Sequence, residues 1–281
     1  MIGPRRVEVP TGLRAGDHVC WAFADATDFS ATVLPYFDEG RRRGEQLLLI
    51  GASRPALLDA LVSLPGRDEL LDAGQLQLWG VADGSDTVPE FDPSAHLRAL
   101  QSEADAALDR GHSGLRVASD ASLVARCGAH ACRQLHVYER LADAMLDSVA
   151  MTLLCLYDHA LGKGVLGPVT LLHPHQHWGE HEAFAYLCGR GPWLSLHGEV
   201  DVTQADDLLR ALVDVTCEAP GEVVVDLAEL RFLDVAGARM LATAVGLLAE
   251  VGVQLRLIRP RRLVRRCLEM FDLAVAPPVS A

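Results

Sequence analysis

Two clusters of cysteine and histidine residues carry the side-chain types that bind transition metals. The first cluster contains Cys127, His130, Cys132 and His136. These residues follow no recognised zinc spacing, and on a helix their side chains would point in different directions around the axis. We therefore expect no metal at the first cluster.

The second cluster consists of His173, His175, His177 and His181. The alternate residues 173, 175 and 177 would share one face of an extended segment, and imidazole is a good ligand for zinc and nickel. A metal site is one interpretation of this pattern. The other interpretation, which the sequence favours, is a polar segment between two domains that holds no metal.

A set of polar residues elsewhere in the first half of the chain could line a ligand pocket. His18 and Cys20 lie two residues apart, so their side chains face the same way on an extended segment. Cys155 and Asp158 lie at the end of a predicted strand, where open α/β sheets bind ligands. The predicted pocket is formed by His18, Cys20, Tyr138, Glu139, Cys155 and Asp158. The alternative for each cysteine is a packing role in the core.

An aspartate near the C-terminus precedes a predicted helix. Residues 226–241 read DLAELRFLDVAGARML, which predicts a strand, a turn at Asp234 and a helix from Gly237. The first turn of a helix has unpaired N–H groups and a partial positive charge, which stabilise a carboxylate or a phosphate there. The turn is a candidate recognition site, and the alternative is a helix start without a function of its own.

Strands and helices alternate along the first part of the chain. Short apolar runs bounded by turn residues predict strands, and apolar residues at helical spacing predict helices. The predicted strands are residues 44–51, 76–81, 115–118 and 150–157, and the predicted helices are residues 55–64, 94–110 and 124–147. This alternation favours an α/β fold with a mostly parallel sheet and helices on both faces.

A second cycle of strands and helices begins after Pro192. Its predicted strands are residues 193–200, 222–227 and 253–258, and its predicted helices are residues 203–217, 237–251 and 261–273. A chain of 281 residues is long enough for two domains. We place the first domain at residues 1–187 and a smaller α/β domain at residues 188–281.

Composition argues against several classes of function. The net charge of −13 repels nucleic acid and anionic lipid, so we expect neither as a partner. No apolar stretch reaches the length of a membrane span, and no signal peptide is apparent, so we expect a cytoplasmic protein. An odd number of cysteines, seven, suits reduced thiols better than a disulfide framework.

Two motifs of the second domain occur together. Asp226, Phe232, Asp234 and Gly237 surround the predicted turn, and the sequence GEVD lies upstream at residues 198–201. This pattern resembles the STAS family of anti-sigma factor antagonists. The resemblance implies that an anti-sigma factor with serine-kinase activity docks on the turn. The implied partner-binding residues are Asp201, Asp234, Val235, Ala236 and Gly237.

The phosphorylation switch of that family has no acceptor on this turn. In the family pattern two serines follow the aspartate, and the partner phosphorylates the second one, which adds negative charge and ends the complex. Val235 and Ala236 occupy these two positions here. Either the domain binds its partner without phosphorylation control, or it has lost partner binding and acts as a structural or relay unit.

Several motifs of the first domain follow the order of another family. They are GDHVCWAF at residues 16–23, LRVASD at 115–120, HVYERL at 136–141 and LCLYDH at 154–159. These motifs resemble the MEDS domain, the sensory domain of methanogen and methylotroph regulators and of a dichloromethane-responsive repressor. The resemblance covers residues 12–175 and implies a sensor of small hydrocarbon-derived ligands.

The loop after the strand at residues 44–51 is where a RecA-like sheet would hold nucleotide phosphates. Its sequence, GASRPALLDAL, lacks the Gly-Lys-Ser/Thr that binds phosphate and magnesium. No other catalytic motif is apparent. We expect a non-enzymatic regulator with a RecA-like sheet and no cofactor. A degenerate nucleotide-binding protein or a small-molecule enzyme is the alternative.

The two resemblances together predict a signalling regulator of the anti-anti-sigma type. A small molecule in the first domain would change how the second domain presents Asp234 to an anti-sigma factor. The ligand can shift the partner's affinity only as far as its own affinity differs between the two states. The sequence identifies neither the ligand nor the particular partner, and it leaves a homodimer open.

Overall fold

The computed structural model of the protein describes residues 4–81, 90–177, 183–217, 219 and 221–277. These residues form two α/β units, each with a sheet of its own. The predicted fold class is confirmed.

The first unit is a parallel sheet with helices on both faces. Its strands are β1 (Arg5–Arg6), β2 (His18–Phe23), β3 (Gln46–Gly51), β4 (Leu76–Gly80), β5 (Leu115–Asp120), β6 (Met151–Asp158) and β7 (His175–His177). Its helices are α1 (Ala26–Arg42), α2 (Arg54–Ala60), α3 (Arg67–Asp72), α4 (Pro93–Asp109), α5 (Ser122–Ala125), α6 (Ala129–Leu146) and α7 (Lys163–Thr170). The seven strands are ordered β1-β7-β2-β6-β5-β3-β4.

The central strands of this sheet are buried on both faces, which explains their continuous apolar sequences. In β3, Leu48 packs into the core on one face and Leu47 and Leu49 pack into the core on the other. The chain leaves β3 toward β4 but leaves β5 toward β6, so its direction across the sheet reverses between β3 and β5. The carboxyl ends of strands beside such a reversal commonly form a ligand-binding crevice.

The second unit is a smaller mixed sheet. Its strands are β8 (Ala185–Arg190), β9 (Trp193–Val200), β10 (Glu222–Asp226), β11 (Leu230–Leu233), β12 (Gln254–Ile258) and β13 (Val275–Ala276). Its helices are α8 (Ala205–Thr216), α9 (Val235–Glu250) and α10 (Arg262–Glu269). The order is β11-β9-β10-β12-β13, with β8 antiparallel to β9. The domain boundary expected between residues 187 and 188 falls within β8 and stays a prediction.

Helices α6 and α7 of the first unit pack against the second unit. The Nδ1 atom of His136 on α6 lies 2.8 Å from a carboxylate oxygen of Asp214 on α8. Arg140, one turn further along α6, donates to the carbonyl of Gly189 at 3.3 Å. Leu171 and Leu172, directly after α7, belong to the core of the second unit. The two units therefore share a packed interface.

Two glycines have backbone conformations that the periodicity did not indicate. The helix predicted over residues 124–147 is two helices, α5 and α6, because Gly128 between them has φ of 100°. Gly198 of the GEVD sequence has φ of 86°, and a Cβ atom there would collide with the carbonyl oxygen of Phe184. The close approach of β8 to β9 therefore requires glycine at this position.

Replacing Gly198 tests this requirement. The Gly198→Ala variant should lose about 2–4 kcal/mol of the free energy of unfolding, since it combines positive φ with a backbone collision. Gly246→Ala is the control, because Gly246 lies in α9 with open space around it and should gain about 0.5–1 kcal/mol. Urea unfolding measures both changes, and equal stabilities of Gly198→Ala and the wild type would contradict the requirement.

Candidate functional site

Four side chains that bear polar or nucleophilic atoms converge inside the first unit. They are His18 on β2, Glu139 on α6, Cys155 on β6 and His173 after α7, and all four are fully buried. One potential ligand atom from each lies within 4.8 Å of the corresponding atoms of the others. We call this group the buried tetrad.

Strand register places two members of the tetrad side by side. Strands β2 and β6 are parallel neighbours in which Cys20 pairs with Cys155 and His18 pairs with Leu153. Because side chains alternate along a strand, His18, Cys20 and Cys155 face the same side of the sheet. Helix α6 covers this side and contributes Glu139.

The carboxylate of Glu139 is the centre of the tetrad. Its Oε2 atom lies 3.1 Å from Nε2 of His18, 3.3 Å from Nε2 of His173 and 3.3 Å from Sγ of Cys155. The hydroxyl of Tyr157 donates a hydrogen bond to the other oxygen, Oε1. One carboxylate oxygen is thus held by tyrosine while the other faces three side chains.

The charge of Glu139 is compensated inside the protein. Burial alone would raise the pKa of this carboxyl group, but His173 and His18 outweigh burial and hold the pKa well below its usual value. Burial lowers the pKa of His18, whereas the carboxylates of Asp143 and Glu139 raise it, and the outcome is a pKa raised from 6.5 to about 9. Burial also raises the pKa of the Cys155 thiol.

The second histidine of the tetrad places its Nε2 atom beside the carboxylate. Nδ1 of His173 lies 2.9 Å from the carbonyl oxygen of Val169, and a carbonyl only accepts, so the proton sits on Nδ1. Burial and the neighbouring His18 lower the pKa of His173. The buried Nε2 atom lies 3.3 Å from Oε2 of Glu139 and makes no hydrogen bond among the described residues.

The six residues of the predicted pocket separate into three environments. His18, Glu139 and Cys155 are in the tetrad, and Cys20 is buried beside Cys155. The ring of Tyr138 packs instead against Phe91 and His96, with centroids 5.5 and 5.4 Å away. Asp158 lies at the carboxyl end of β6 and pairs with Arg126. Ligand binding by these six residues stays a prediction.

The two metal clusters considered from the sequence do not assemble as units. In the first cluster, the thiols of Cys127 and Cys132 donate to the carbonyls of Leu123 and Ala125, and His136 binds Asp214. In the second cluster, His175 lies 3.2 Å from Asp17 and His177 stacks on Trp21 with centroids 3.6 Å apart. His181 lies outside the described residues. Only His173 joins the tetrad.

Two supporting residues of the tetrad were missed by sequence reasoning. Tyr157 lies two residues after Cys155 on β6, and strand alternation could have placed it on the same face. Asp143 lies one helical turn after Glu139, with Oδ1 3.5 Å from Nδ1 of His18. That spacing could have placed it beside Glu139 on one helix face.

A separate open cleft of about 460 Å³ lies at the carboxyl ends of β2, β3, β5 and β6. Phe23 and Gly51 contribute to its wall. The charged side chains that line it are acidic, namely Asp25, Asp59, Asp120 and Asp158. Burial raises the pKa of Asp120. Carboxylates repel phosphate, so this cleft suits a neutral or cationic molecule better than a nucleotide.

The turn at Asp234 joins two segments of the second unit. One carboxylate oxygen of Asp234 accepts from the backbone N–H of Gly237 at 2.8 Å and caps α9. The other accepts from the N–H of Val202 at 2.9 Å, in the loop after β9. Phe232 and Val235 beside this turn are about half exposed, and Val202 is 70% exposed. The turn is therefore an accessible apolar surface around a fixed carboxylate.

Comparison with known protein families agrees with both units. Residues 17–174 match the family model described as MEDS, the MEthanogen/methylotroph, DcmR Sensory domain, which is more than half of the chain. The chain belongs to the MEDS family. Residues 188–277 match the model described as Mlab, STAS domain. The predicted combination of a MEDS and a STAS domain is confirmed, and such domains support a role in signalling.

Other comparisons add little about function. No curated protein matches the chain. A murine Solute Carrier 26 family member A9 anion transporter structure shares 14% identity over 29% of this chain and 14% of that chain, with a TM-score of 0.25. A structure described as Mglu shares 25% identity over 36% of this chain and 27% of that chain, also with a TM-score of 0.25. The chain thus spans less than a third of either structure.

Every helix among the described residues is too short or too polar to pass through a bilayer.

The acidic cleft predicts the response of the protein to nucleotides. ATP with magnesium should leave the melting temperature unchanged, because a ligand raises it only by binding the native state and the cleft repels phosphates. Differential scanning fluorimetry at increasing ATP concentration measures this response. A dose-dependent rise in melting temperature would contradict the expectation that the cleft repels phosphate and would favour the nucleotide-binding alternative.

Proposed function

We propose that the chain is a signalling regulator of the anti-anti-sigma type, in which the STAS domain docks an anti-sigma factor of the serine-kinase class through the Asp234 turn. The accessibility of that turn carries the proposal. Helices α6 and α7 cover α8 and β8 of the STAS domain, and Lys163 at the start of α7 contacts the Thr203 carbonyl, whereas Val202, Phe232 and Val235 stay exposed. Exposed apolar groups around one charged group suit a protein contact.

The docking surface has no hydroxyl that a kinase could modify on the turn itself. Val235 and Ala236 follow Asp234, and Asp234 already accepts two backbone hydrogen bonds. In STAS domains of the resembling type, a phosphate added here would end the complex. The complex formed by this chain is accordingly governed by something other than phosphorylation of the turn, and the sensory domain supplies a candidate.

The signal that the sensory domain receives is a small neutral or cationic molecule bound in the acidic cleft. Phe23 and Leu57 give the cleft apolar wall area, and Asp25 and Asp59 give it negative charge. A hydrocarbon-derived ligand with an amine or hydroxyl group would match both properties. The cleft lies at the carboxyl ends of the strands, where open α/β sheets bind ligands.

Helix α6 connects the sensory core with the STAS domain. Glu139 on one face of α6 contacts His18 of the sheet, and His136 and Arg140 contact the STAS domain at Asp214 and Gly189. A shift of α6 would therefore move both sets of contacts. Such an element can carry a coupling free energy of about 1–3 kcal/mol between two sites.

Substitution of an exposed apolar residue on the turn tests the docking surface. Val235→Asp should weaken binding to a purified serine-kinase anti-sigma factor by about tenfold or more, because it replaces apolar contact with charge at the interface centre. Aspartate in the first turn of α9 is favourable for the helix, so the fold should persist. Isothermal titration calorimetry measures the affinity.

Leu247→Asp is the matched control for this test. Leu247 is also exposed on α9 but lies near the other end of the helix, so its substitution should leave affinity unchanged. Equal affinity of the Val235→Asp variant and the wild type would place docking elsewhere. Failure of the wild type to bind any anti-sigma factor of this class would overturn the proposed function.

A further inference from the structure

We propose that the buried tetrad of His18, Glu139, Cys155 and His173 is a zinc site. The four side chains offer two imidazole nitrogens, one carboxylate oxygen and one sulfur, which are the ligand types that zinc prefers. They come from β2, α6, β6 and the segment after α7, so an ion would join four separate elements. Of the two clusters considered from the sequence, only His173 contributes to this site.

Four of the six separations between the ligand atoms fit one tetrahedral ion. Zinc bonds of about 2.0–2.3 Å place neighbouring ligand atoms about 3.3–3.6 Å apart in a tetrahedron. Oε2 of Glu139 lies 3.1 Å from His18 Nε2, 3.3 Å from His173 Nε2 and 3.3 Å from Cys155 Sγ. The distance from Cys155 Sγ to His18 Nε2 is 3.5 Å. The other two separations, from His173 Nε2 to His18 Nε2 and to Cys155 Sγ, are within 4.8 Å, so a shift of His173 of about 1 Å or less would complete the tetrahedron.

The surrounding groups orient each ligand as in metal sites. Metal-binding histidines usually donate the second ring N–H to a carboxylate or a carbonyl. Nδ1 of His173 donates to the Val169 carbonyl at 2.9 Å, and Nδ1 of His18 lies 3.5 Å from Oδ1 of Asp143 without a hydrogen bond to it. Tyr157 binds the outer oxygen of Glu139, which leaves Oε2 as a single inward ligand. Both imidazoles thus place Nε2 next to Oε2 of Glu139.

The Nε2 atom of His173 makes no hydrogen bond to any described residue, although it is buried beside the carboxylate. Because Nδ1 donates to the Val169 carbonyl, Nε2 is the ring nitrogen available to a cation. A zinc ion among the four atoms would bond both Nε2 of His173 and Oε2 of Glu139, which lie 3.3 Å apart. Binding would release the proton of the Cys155 thiol and the shared proton of His18 to solvent.

The test begins with the untagged full-length protein, purified without chelators from zinc-supplemented cells. Inductively coupled plasma mass spectrometry should find about one zinc ion per chain. Replacement of zinc by cobalt(II) should produce thiolate-to-cobalt charge-transfer absorption together with the intense visible bands of a tetrahedral site. Folded protein that contains no zinc and gives no charge-transfer band with cobalt would overturn the proposal.

Variants with a matched control locate the ion. Cys155→Ser should abolish the charge-transfer band and weaken zinc binding by more than about tenfold. Cys20→Ser is the control, because Cys20 is buried on the neighbouring strand opposite Cys155 but is not a member of the tetrad, so band and affinity should persist. An undiminished band in Cys155→Ser would show that the ion binds elsewhere.

A third variant keeps the test decisive if Cys155→Ser does not fold. His173→Asn retains a donor for the Val169 carbonyl and removes the inward Nε2 atom. It should keep the charge-transfer band of Cys155, lose tetrahedral intensity in the visible bands and bind zinc more than about tenfold more weakly. Wild-type zinc affinity in the His173→Asn variant would overturn the assignment of His173 as a ligand.

Discussion

The buried carboxylate of Glu139 is the constraint on which the first unit depends. A carboxylate in an apolar interior is costly unless charged or hydrogen-bonding groups satisfy it. Here the core around the carboxylate brings His18, Cys155, Tyr157 and His173 to it from three further elements. The positions of β2, β6 and the segment after α7 are therefore fixed relative to α6 by polar contacts as well as by packing.

Helix α6, which carries Glu139, also contacts the second unit. His136 and Arg140 flank Glu139 in the sequence of α6, and their side chains reach α8 and the turn after β8. The segment that carries His173 continues directly into contact with β8, since Leu187 donates its N–H to the Leu171 carbonyl at 2.7 Å. Helix α6 and the segment that carries His173 therefore contribute both to the tetrad and to the domain interface. The Asp234 turn remains accessible on the STAS domain.

Much of the fold could be predicted from the sequence because its signals are local. Strands β3 and β6 are apolar throughout because both of their faces are buried. Strand β9 alternates because only one of its faces is buried. Helix α1 escaped prediction because Pro35 and Gly40 interrupt its pattern, and the break at Gly128 depends on backbone conformation. The Asp234 turn was predictable because a cap, a glycine and a motif coincide.

The tetrad could be predicted only in part, because its residues lie far apart in the sequence. Alternation placed His18 with Cys20 and the strand end placed Cys155 nearby, but strand order decides that β2 and β6 are neighbours. His173 appeared to belong with His175 and His177, yet the chain turns between α7 and β7 and separates their partners. Spacing along the sequence does not report such long-range pairings.

Hydrogen–deuterium exchange of the Glu139→Gln variant tests most directly whether the core of the first unit and the STAS domain are coupled through α6. The variant keeps the shape of Glu139 and removes its charge. The account predicts exchange in α8 (Ala205–Thr216) faster than in the wild type by about fivefold, as a loss of about 1 kcal/mol of local stability would give. Faster exchange in β2, β6 and α7 with α8 unchanged would contradict it.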